Sequence, residues 1–253
     1  MTKIILKGCM GNLGTAIYKL AENDRDYEIV SGIDVAGSGN GLSFPMYSDI
    51  SLCDRDADVV VDCSTVESVP ELLEFGVKKH IPLVICTTGL PKELQAEVVK
   101  ASEKVAILQS ANMSIGINLL MIMVQRAAKL LEGFDIEIIE KHHNKKVDAP
   151  SGTAIVLADA INKALDDEME YIYDRSKERK RRSKNEIGMH ALRGGTIVGE
   201  HSVVFAGVDE VIEFKHQILS REVFAVGALR AARFMKGRPP GFYTMQDLME
   251  AFL

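Results

Sequence analysis

The chain has little that could staple it, anchor it in a membrane or carry it onto a polyanion. Of its 253 residues only four are cysteine. Cys9, Cys53, Cys63 and Cys86 fall in the first third with no C-x-x-C spacing, which excludes a disulfide framework and a thiolate zinc site and reads as small buried residues in a reducing compartment. Long apolar runs are missing. The most apolar segment, Ile115 to Val124, is too short to span a bilayer and is followed by Gln125 and Arg126, so no membrane partner is expected. A positively charged leader ahead of an apolar stretch is missing too, because Met1 to Gly8 reads at once as a strand, and the expected location is the cytoplasm. Nor is there a basic excess. A net charge of −6 and a pI near 5.6 argue against nucleic acid as a partner, since phosphate neutralisation needs a basic surface. The exception is local: Arg175 to Lys184 carries seven basic residues and one acid, read as a mobile solvated loop with substrate steering as the alternative. No internal repeat and no helix-turn-helix is visible.

What is present is the composition of a globular protein, 47% hydrophobic and 26% charged, long enough for one large domain or two ordinary ones. Lys3 to Lys7 predicts a strand. Gly8-Cys9-Met10-Gly11-Asn12-Leu13-Gly14 then leads into a helical pattern over Thr15 to Glu22, and a second strand, Glu28 to Ile33, ends at Asp34. Strand, glycine turn, helix, strand and terminal acid describe the first unit of a dinucleotide-binding fold: amides at the helix start face the pyrophosphate while the acid accepts from ribose hydroxyls. The alternation continues with strands at Asp58 to Cys63, Pro82 to Cys86 and Val105 to Gln109, and helices at Glu67 to Lys79 and Lys92 to Glu103. That repetition predicts a doubly wound parallel sheet with ligands beyond the carboxyl ends of its strands. Those ends carry Cys63-Ser64-Thr65, Cys86-Thr87-Thr88-Gly89 and Ser110-Ala111-Asn112-Met113, small residues that leave room for a nicotinamide and its ribose.

The character then changes. Ile115 to Leu131 predicts a helix with Leu119, Leu120, Met123, Ala127, Leu130 and Leu131 along its apolar face. An alternating run, Phe134 to Ile139, predicts a strand that delivers the chain to Glu140-Lys-His-His-Asn-Lys-Lys-Val-Asp-Ala-Pro-Ser-Gly-Thr-Ala154. Two histidines and three lysines here precede Pro150 and Ser151, which open a helix running to about Leu165. Imidazoles titrate near neutrality, lysines bring fixed positive charge, and the amides after Ser151 form a cradle for carboxylate oxygens. The combination suits holding an anion and protonating it. A metal is not expected, because side chains adjacent on a strand point to opposite faces, so His142 and His143 cannot easily share one ion. Strand-like runs at Glu186 to Leu192, Thr196 to Phe205 and Glu210 to Leu219 predict an antiparallel meander, and helices at Glu222 to Met235 and Met245 to Phe252 close the chain.

With His142-His143, Lys146, Asp148-Ala-Pro-Ser-Gly-Thr-Ala154, the Thr-Thr-Gly turn, Ala111-Asn-Met-Ser and Val198-Gly-Glu-His-Ser202 in view, the chain resembles the dihydrodipicolinate reductase family over nearly its whole length. The resemblance implies an α/β, Rossmann-type domain of residues 1–113 and 221–253 that binds a nicotinamide dinucleotide. It further implies an inserted α+β domain, 114–220, with a mixed or antiparallel sheet that binds substrate and forms a homotetramer, with a hinge joining the two. The implied reaction is NAD(P)H-dependent reduction of a small cyclic dicarboxylate, 4-hydroxy-tetrahydrodipicolinate, with loss of water, in bacterial lysine and diaminopimelate synthesis.

Carried over to this sequence, the proton donor falls on His142 and the essential lysine on Lys146, with substrate carboxylates meeting His143 and the backbone of Ser151, Gly152 and Thr153. Cofactor contacts fall on Gly8, Cys9, Met10, Gly11, Asn12, Leu13, Asp34, Cys86, Thr87, Thr88, Ser110, Ala111, Asn112 and Met113. The chain departs from the family at Cys86, where a glycine is usual, and at Met113, where an aromatic is common. Asp34 suits the 2′-hydroxyl of NADH and repels a 2′-phosphate, and Val35 adds no positive partner, so NADH is expected to be preferred, with NADPH usable through the Gly37-Ser38-Gly39-Asn40 loop. Two other readings are open: a different amino-acid-pathway dehydrogenase, such as one for aspartate or homoserine, which leaves the His-Lys-Ser-Gly-Thr cluster unexplained, and a non-catalytic NADH-sensing or DNA-binding regulator.

Overall fold

In the computed structural model, which describes residues 1–36 and 41–251, the apolar runs become strands and the amphipathic runs helices. In chain order these are β1 (Thr2–Lys7), α1 (Asn12–Ala21), β2 (Tyr27–Ile33), β3 (Met46–Tyr47), β4 (Val59–Asp62), α2 (Val69–Lys79), β5 (Leu83–Ile85), α3 (Lys92–Ser102), β6 (Ala106–Gln109), α4 (Ile115–Leu130), β7 (Asp135–His142), α5 (Gly152–Ala164), β8 (Glu170–Ile172), β9 (Glu186–Arg193), β10 (Gly199–Ala206), β11 (Val211–Ile218), α6 (Glu222–Met235), β12 (Gly241–Tyr243) and α7 (Met245–Glu250). The chain divides into two compact units, Met1–Ile115 with Glu222–Leu253, and Gly116–Arg221. The Gly37–Asn40 loop, to which NADPH use was tied, lies outside the described residues, as does Phe252 at the expected end of the last helix.

The first unit is a seven-stranded sheet in the order β12-β6-β5-β4-β1-β2-β3, parallel throughout. Both faces are covered. One packs Ile4, Leu6, Val59, Val61 and Val84 against Ile17 of α1 and Ala228, Leu229 and Ala232 of α6; the other packs Ile5, Val60, Leu83 and Ile85 against Leu72 of α2 and Val98 of α3. That is why Val59, Val60 and Val61 run consecutively at 0% exposure instead of alternating with polar residues. Each contributes roughly 1.5–3 kcal/mol of burial. The strand order reverses between β1 and β4, and ligands of such sheets bind at the carboxyl ends beside that reversal. The two-residue β3 and the three-residue β12 escaped the sequence reading because runs so short carry no period.

The second unit holds a five-stranded mixed sheet in the order β11-β10-β7-β9-β8, backed by α4 and α5. The expected antiparallel meander is corrected here. Only β10 and β11 form a hairpin; β7 lies between β10, which it meets antiparallel, and β9, which it meets parallel. Alternation in the last three runs sets which side chains face the core and says nothing about which strand is the neighbour. The face of α4 is corrected too. Ile117, Leu120, Val124 and Ala127 are buried, whereas Leu119, Met123 and Leu130 are 48%, 44% and 83% exposed. A helix apolar nearly all round does not fix its own phase.

The basic segment is not free in solvent along its whole length. Arg175 bonds Glu186 at 2.5 Å and Glu137 at 2.8 Å, and Arg182 pairs with Asp135 and donates to the Glu186 carbonyl at 2.7 Å. Two of its arginines therefore tie it to acids on β7 and β9 that the sequence reading left unpaired.

Candidate functional site

In the first unit the glycine turn sits on the reversal point of the sheet. Gly8 has φ +74°, and a side chain there would come within 2.6 Å of the Cys63 carbonyl beyond β4, so only glycine fits. Gly11 caps α1 without a side-chain hydrogen bond, leaving the first-turn amides of Asn12 and Leu13 for an anion. Asp34, just past β2, accepts from Met10 N at 3.0 Å and Ala36 N at 3.1 Å, which draws the acid against the turn. These residues fit a dinucleotide: an uncapped helix start for the pyrophosphate and a carboxylate for the ribose beside it.

The remaining cofactor candidates divide by what their side chains are doing. Cys9, Cys86 and Met113 are buried in the core at 0%, 7% and 3% exposure, so they can offer a dinucleotide only main-chain atoms. Burial, reinforced by the Asp34 charge, pushes the Cys9 thiol up to about 11. The Thr87 hydroxyl donates to Asp62 Oδ2 at 2.6 Å, whereas Thr88 is exposed beside it. Ser110 and Asn112 cross-bond, Ser110 Oγ to the Asn112 carbonyl at 2.9 Å, and Ala111 is exposed between them.

In the second unit the period of β7 decides the chemistry. Ile136, Ile138, Glu140 and His142 share one buried face. The first two enter the core, while the last two stand where the sheet runs past it. The strand was expected to stop at Ile139; it continues to His142 because its buried polar side chains are satisfied. Glu140 is 0% exposed and takes four hydrogen bonds: from Arg193 Nη1 at 2.8 Å and Nη2 at 2.6 Å, from Ser151 N at 3.0 Å, and from His142 Nδ1 at 2.6 Å. Burial pushes the Glu140 carboxyl up, but the hydrogen bonds from Arg193 and His142 outweigh it and hold it below its ordinary value. It is therefore a carboxylate at neutral pH, and it fixes the His142 proton on Nδ1, leaving Nε2 for other partners.

Ser151 caps α5, its Oγ accepting from Ala154 N at 3.2 Å and lying 2.8 Å from His201 Nε2. One expectation changes here. The Ser151 amide is committed to Glu140, so it is not open to a substrate carboxylate; Gly152 is exposed at the helix start, and a side chain there would meet nothing within 4 Å. Lys146 pairs with Asp148 at 2.7 Å, and that hydrogen bond lowers the Asp148 carboxyl below its ordinary value. His143 follows the strand with a buried Nδ1 that has no hydrogen-bond partner among the described residues. Glu140, Arg193 and His201 were not assigned roles from sequence. The first could have been found from its phase with Ile136 and Ile138; Arg193 has no local signal.

The comparisons decide the family. The dihydrodipicolinate reductase N-terminus matches residues 2–113 and its C-terminus residues 116–249. The chain belongs to the dihydrodipicolinate reductase family. A 4-hydroxy-tetrahydrodipicolinate reductase of Caldanaerobacter subterraneus is 52% identical over 99% of both chains, and one of Clostridium tetani is 48% identical over 99% of this chain and 98% of its own. The dipicolinate-bound dihydrodipicolinate reductase from Paenisporosarcina sp. TG-14 shares the fold, with a TM-score of 0.82 at 22% identity over 96% of this chain and 97% of that one. Aspartate dehydrogenase from Thermotoga maritima shares it more loosely, at a TM-score of 0.54 and 13% identity over 94% and 98%. Membership of the dihydrodipicolinate reductase family makes the chain an NAD(P)H-dependent oxidoreductase acting as a 4-hydroxy-tetrahydrodipicolinate reductase in lysine and diaminopimelate biosynthesis. Among the described residues no helix is long and apolar enough to cross a membrane.

Proposed function

We propose that His142 is the proton donor of this reductase, that Lys146, His143 and the Gly152 and Thr153 amides hold the carboxylates of the cyclic substrate, and that the Gly8–Leu13 turn and Asp34 hold NADH in preference to NADPH. The observation that carries this reading is that one carboxylate, Glu140, bonds both the His142 ring and the backbone at the start of α5. An acid and an anion-binding helix terminus are thereby fixed to a common post. The nicotinamide, when bound, supplies the hydride. The carbon next to the one that receives it becomes electron-rich and must be protonated, and an imidazolium Nε2–H on His142 meets that need. The Lys146 ammonium offsets the negative charge of the diacid and the charge that develops on reduction. Asp34 supports the cofactor preference, because a carboxylate accepts from a ribose 2′-hydroxyl and repels a 2′-phosphate. Thr88, Ala111 and Asn112 are the proposed contacts on the nicotinamide side. A homotetramer and a cytoplasmic location belong to the same reading.

The test is steady-state turnover with the product of the preceding synthase as substrate, following NADH absorbance. His142→Gln is expected to lose about 10²- to 10⁴-fold in kcat, and full turnover in that variant would refute the assignment. Equal or better use of NADPH would refute the cofactor preference.

A further inference from the structure

We infer that Glu140, clamped by Arg193, is the positioning residue that sets the tautomer and orientation of His142 and ties that acid to the helix start proposed to hold the substrate. This rests on His142 being the proton donor. Glu140 is fully buried and acts through the imidazole.

The geometry leaves little freedom. Oε2 takes the His142 Nδ1 proton and Arg193 Nη1, while Oε1 takes Ser151 N and Arg193 Nη2. Every donor around the carboxylate is thus matched to an acceptor, and the guanidinium fork holds its plane. The Arg193 fork is held in turn, since Nη2 also donates to the Asp148 carbonyl at 2.6 Å and Nη1 to the Leu192 carbonyl at 2.8 Å. Because β7 and β9 run parallel with His142 opposite Arg193, the acid and the clamp sit at the same level of the sheet.

Two consequences follow for the reaction. With Nδ1–H given to a carboxylate, the proton that leaves during turnover is the one on Nε2. Further, His201, whose ring meets that of His142 edge-on with centroids 5.2 Å apart, brings no competing charge at neutral pH: burial first, and the neighbouring His142 second, push it down to about 4. Among the groups around His142 are thus the Glu140 carboxylate, the Arg193 guanidinium behind it and the neutral His201 ring.

Glu140→Gln tests this. An amide has one acceptor oxygen where two are needed, so either Ser151 N or His142 Nδ1 faces a donor. The expected result is a fall in kcat of about 10²-fold with a much smaller change in KM for the dicarboxylate. In nitrogen-15 spectra the variant's neutral His142 should redistribute toward the Nε2–H tautomer, because Nδ1 has lost its carboxylate acceptor. Glu140→Asp, which keeps a carboxylate acceptor, should restore much of the Nδ1–H tautomer. A role confined to structure would lower the melting temperature and the active fraction but leave the His142 tautomer as in wild type, and that outcome overturns the inference. Nitrogen-15 spectra of histidine-labelled wild-type enzyme give an answer that does not depend on the variant folding. They should show neutral His142 protonated on Nδ1, and an Nε2–H tautomer overturns the proposal. If His142→Gln is inactive while Glu140→Gln behaves as wild type, the inference fails and the acid assignment stands; if His142→Gln is fully active, the assignment itself fails.

Discussion

The Ser151 hydroxyl lies 2.8 Å from Nε2 of His201 while its Oγ also accepts from Ala154 N at 3.2 Å. The buried ring is neutral at pH 7, and a hydroxyl can serve its Nε2 in either tautomer. This agrees with burial pushing its pKa from 6.5 down to about 4. The folded state resists a proton that the unfolded chain takes readily, so the group's stabilising contribution is complete above about pH 6.5 and is lost as pH falls toward 4. Urea melts between pH 7 and pH 4 should lose on the order of 3 kcal/mol through this group. His201→Gln should flatten that part of the curve, and an unchanged slope would count against the neutral buried ring.

Removing the cap should cost stability before it costs chemistry. Ser151→Ala deletes the Oγ bond to Ala154 N and leaves His201 Nε2 without its hydroxyl partner. A loss of about 1 kcal/mol is expected for the cap alone, read as a melting temperature lower by about 2–4 °C. Because Ser151 N still reaches Glu140, kcat should stay within about tenfold of wild type, and a much larger loss would give the hydroxyl a part in turnover.

Gly199 keeps the working nitrogen clear. A side chain there would lie 3.2 Å from His142 Nε2 and 3.2 Å from Ile218 Cγ1. Ile218 can yield by a rotamer change, but His142 is held by Glu140. Gly199→Ala should therefore depress kcat by about tenfold or more with little loss of fold. Wild-type turnover in that variant would mean the ring has slack.

Asp34 should govern the choice of dinucleotide. Asp34→Ala removes a charged acceptor for the ribose, an interaction of about 1.5–3 kcal/mol, and with it the repulsion of a 2′-phosphate. The ratio of kcat/KM for NADH to that for NADPH is expected to fall by about 10- to 100-fold. An unchanged ratio would place the selectivity elsewhere.

Much of the first unit could be read from the chain because its information is local. A glycine turn, an acid after the second strand and apolar runs of strand length each depend on neighbours in sequence, and β1, α1, β2 and α6 came out within a few residues. The second unit was less legible, since its order rests on pairings between distant segments: β7 to β9 and β7 to β10 join residues about fifty to seventy apart. The site divides in the same way. His142, Lys146 and the start of α5 stood out as residue types in a short stretch. Arg193, which holds the stretch in place, is a single arginine at a strand end, and nothing near it in sequence says that it faces Glu140. The Ser151 amide misled for a related reason: a helix start looks open until the partner from another strand is known.

The threading of the chain carries one more implication. The face of the parallel sheet bearing Ile4, Leu6, Val59, Val61 and Val84 is sealed by Ala225, Ala228, Leu229, Ala231, Ala232 and Met235, all from the helix that returns after the insertion. During synthesis from the amino end, the first hundred-odd residues emerge well before their lid, at about 5–20 residues per second. A nascent chain paused near Ile115 thus exhibits a greasy, half-finished sheet to its surroundings, and the interval until residue 235 is made is when chaperones and proteases have their best opportunity.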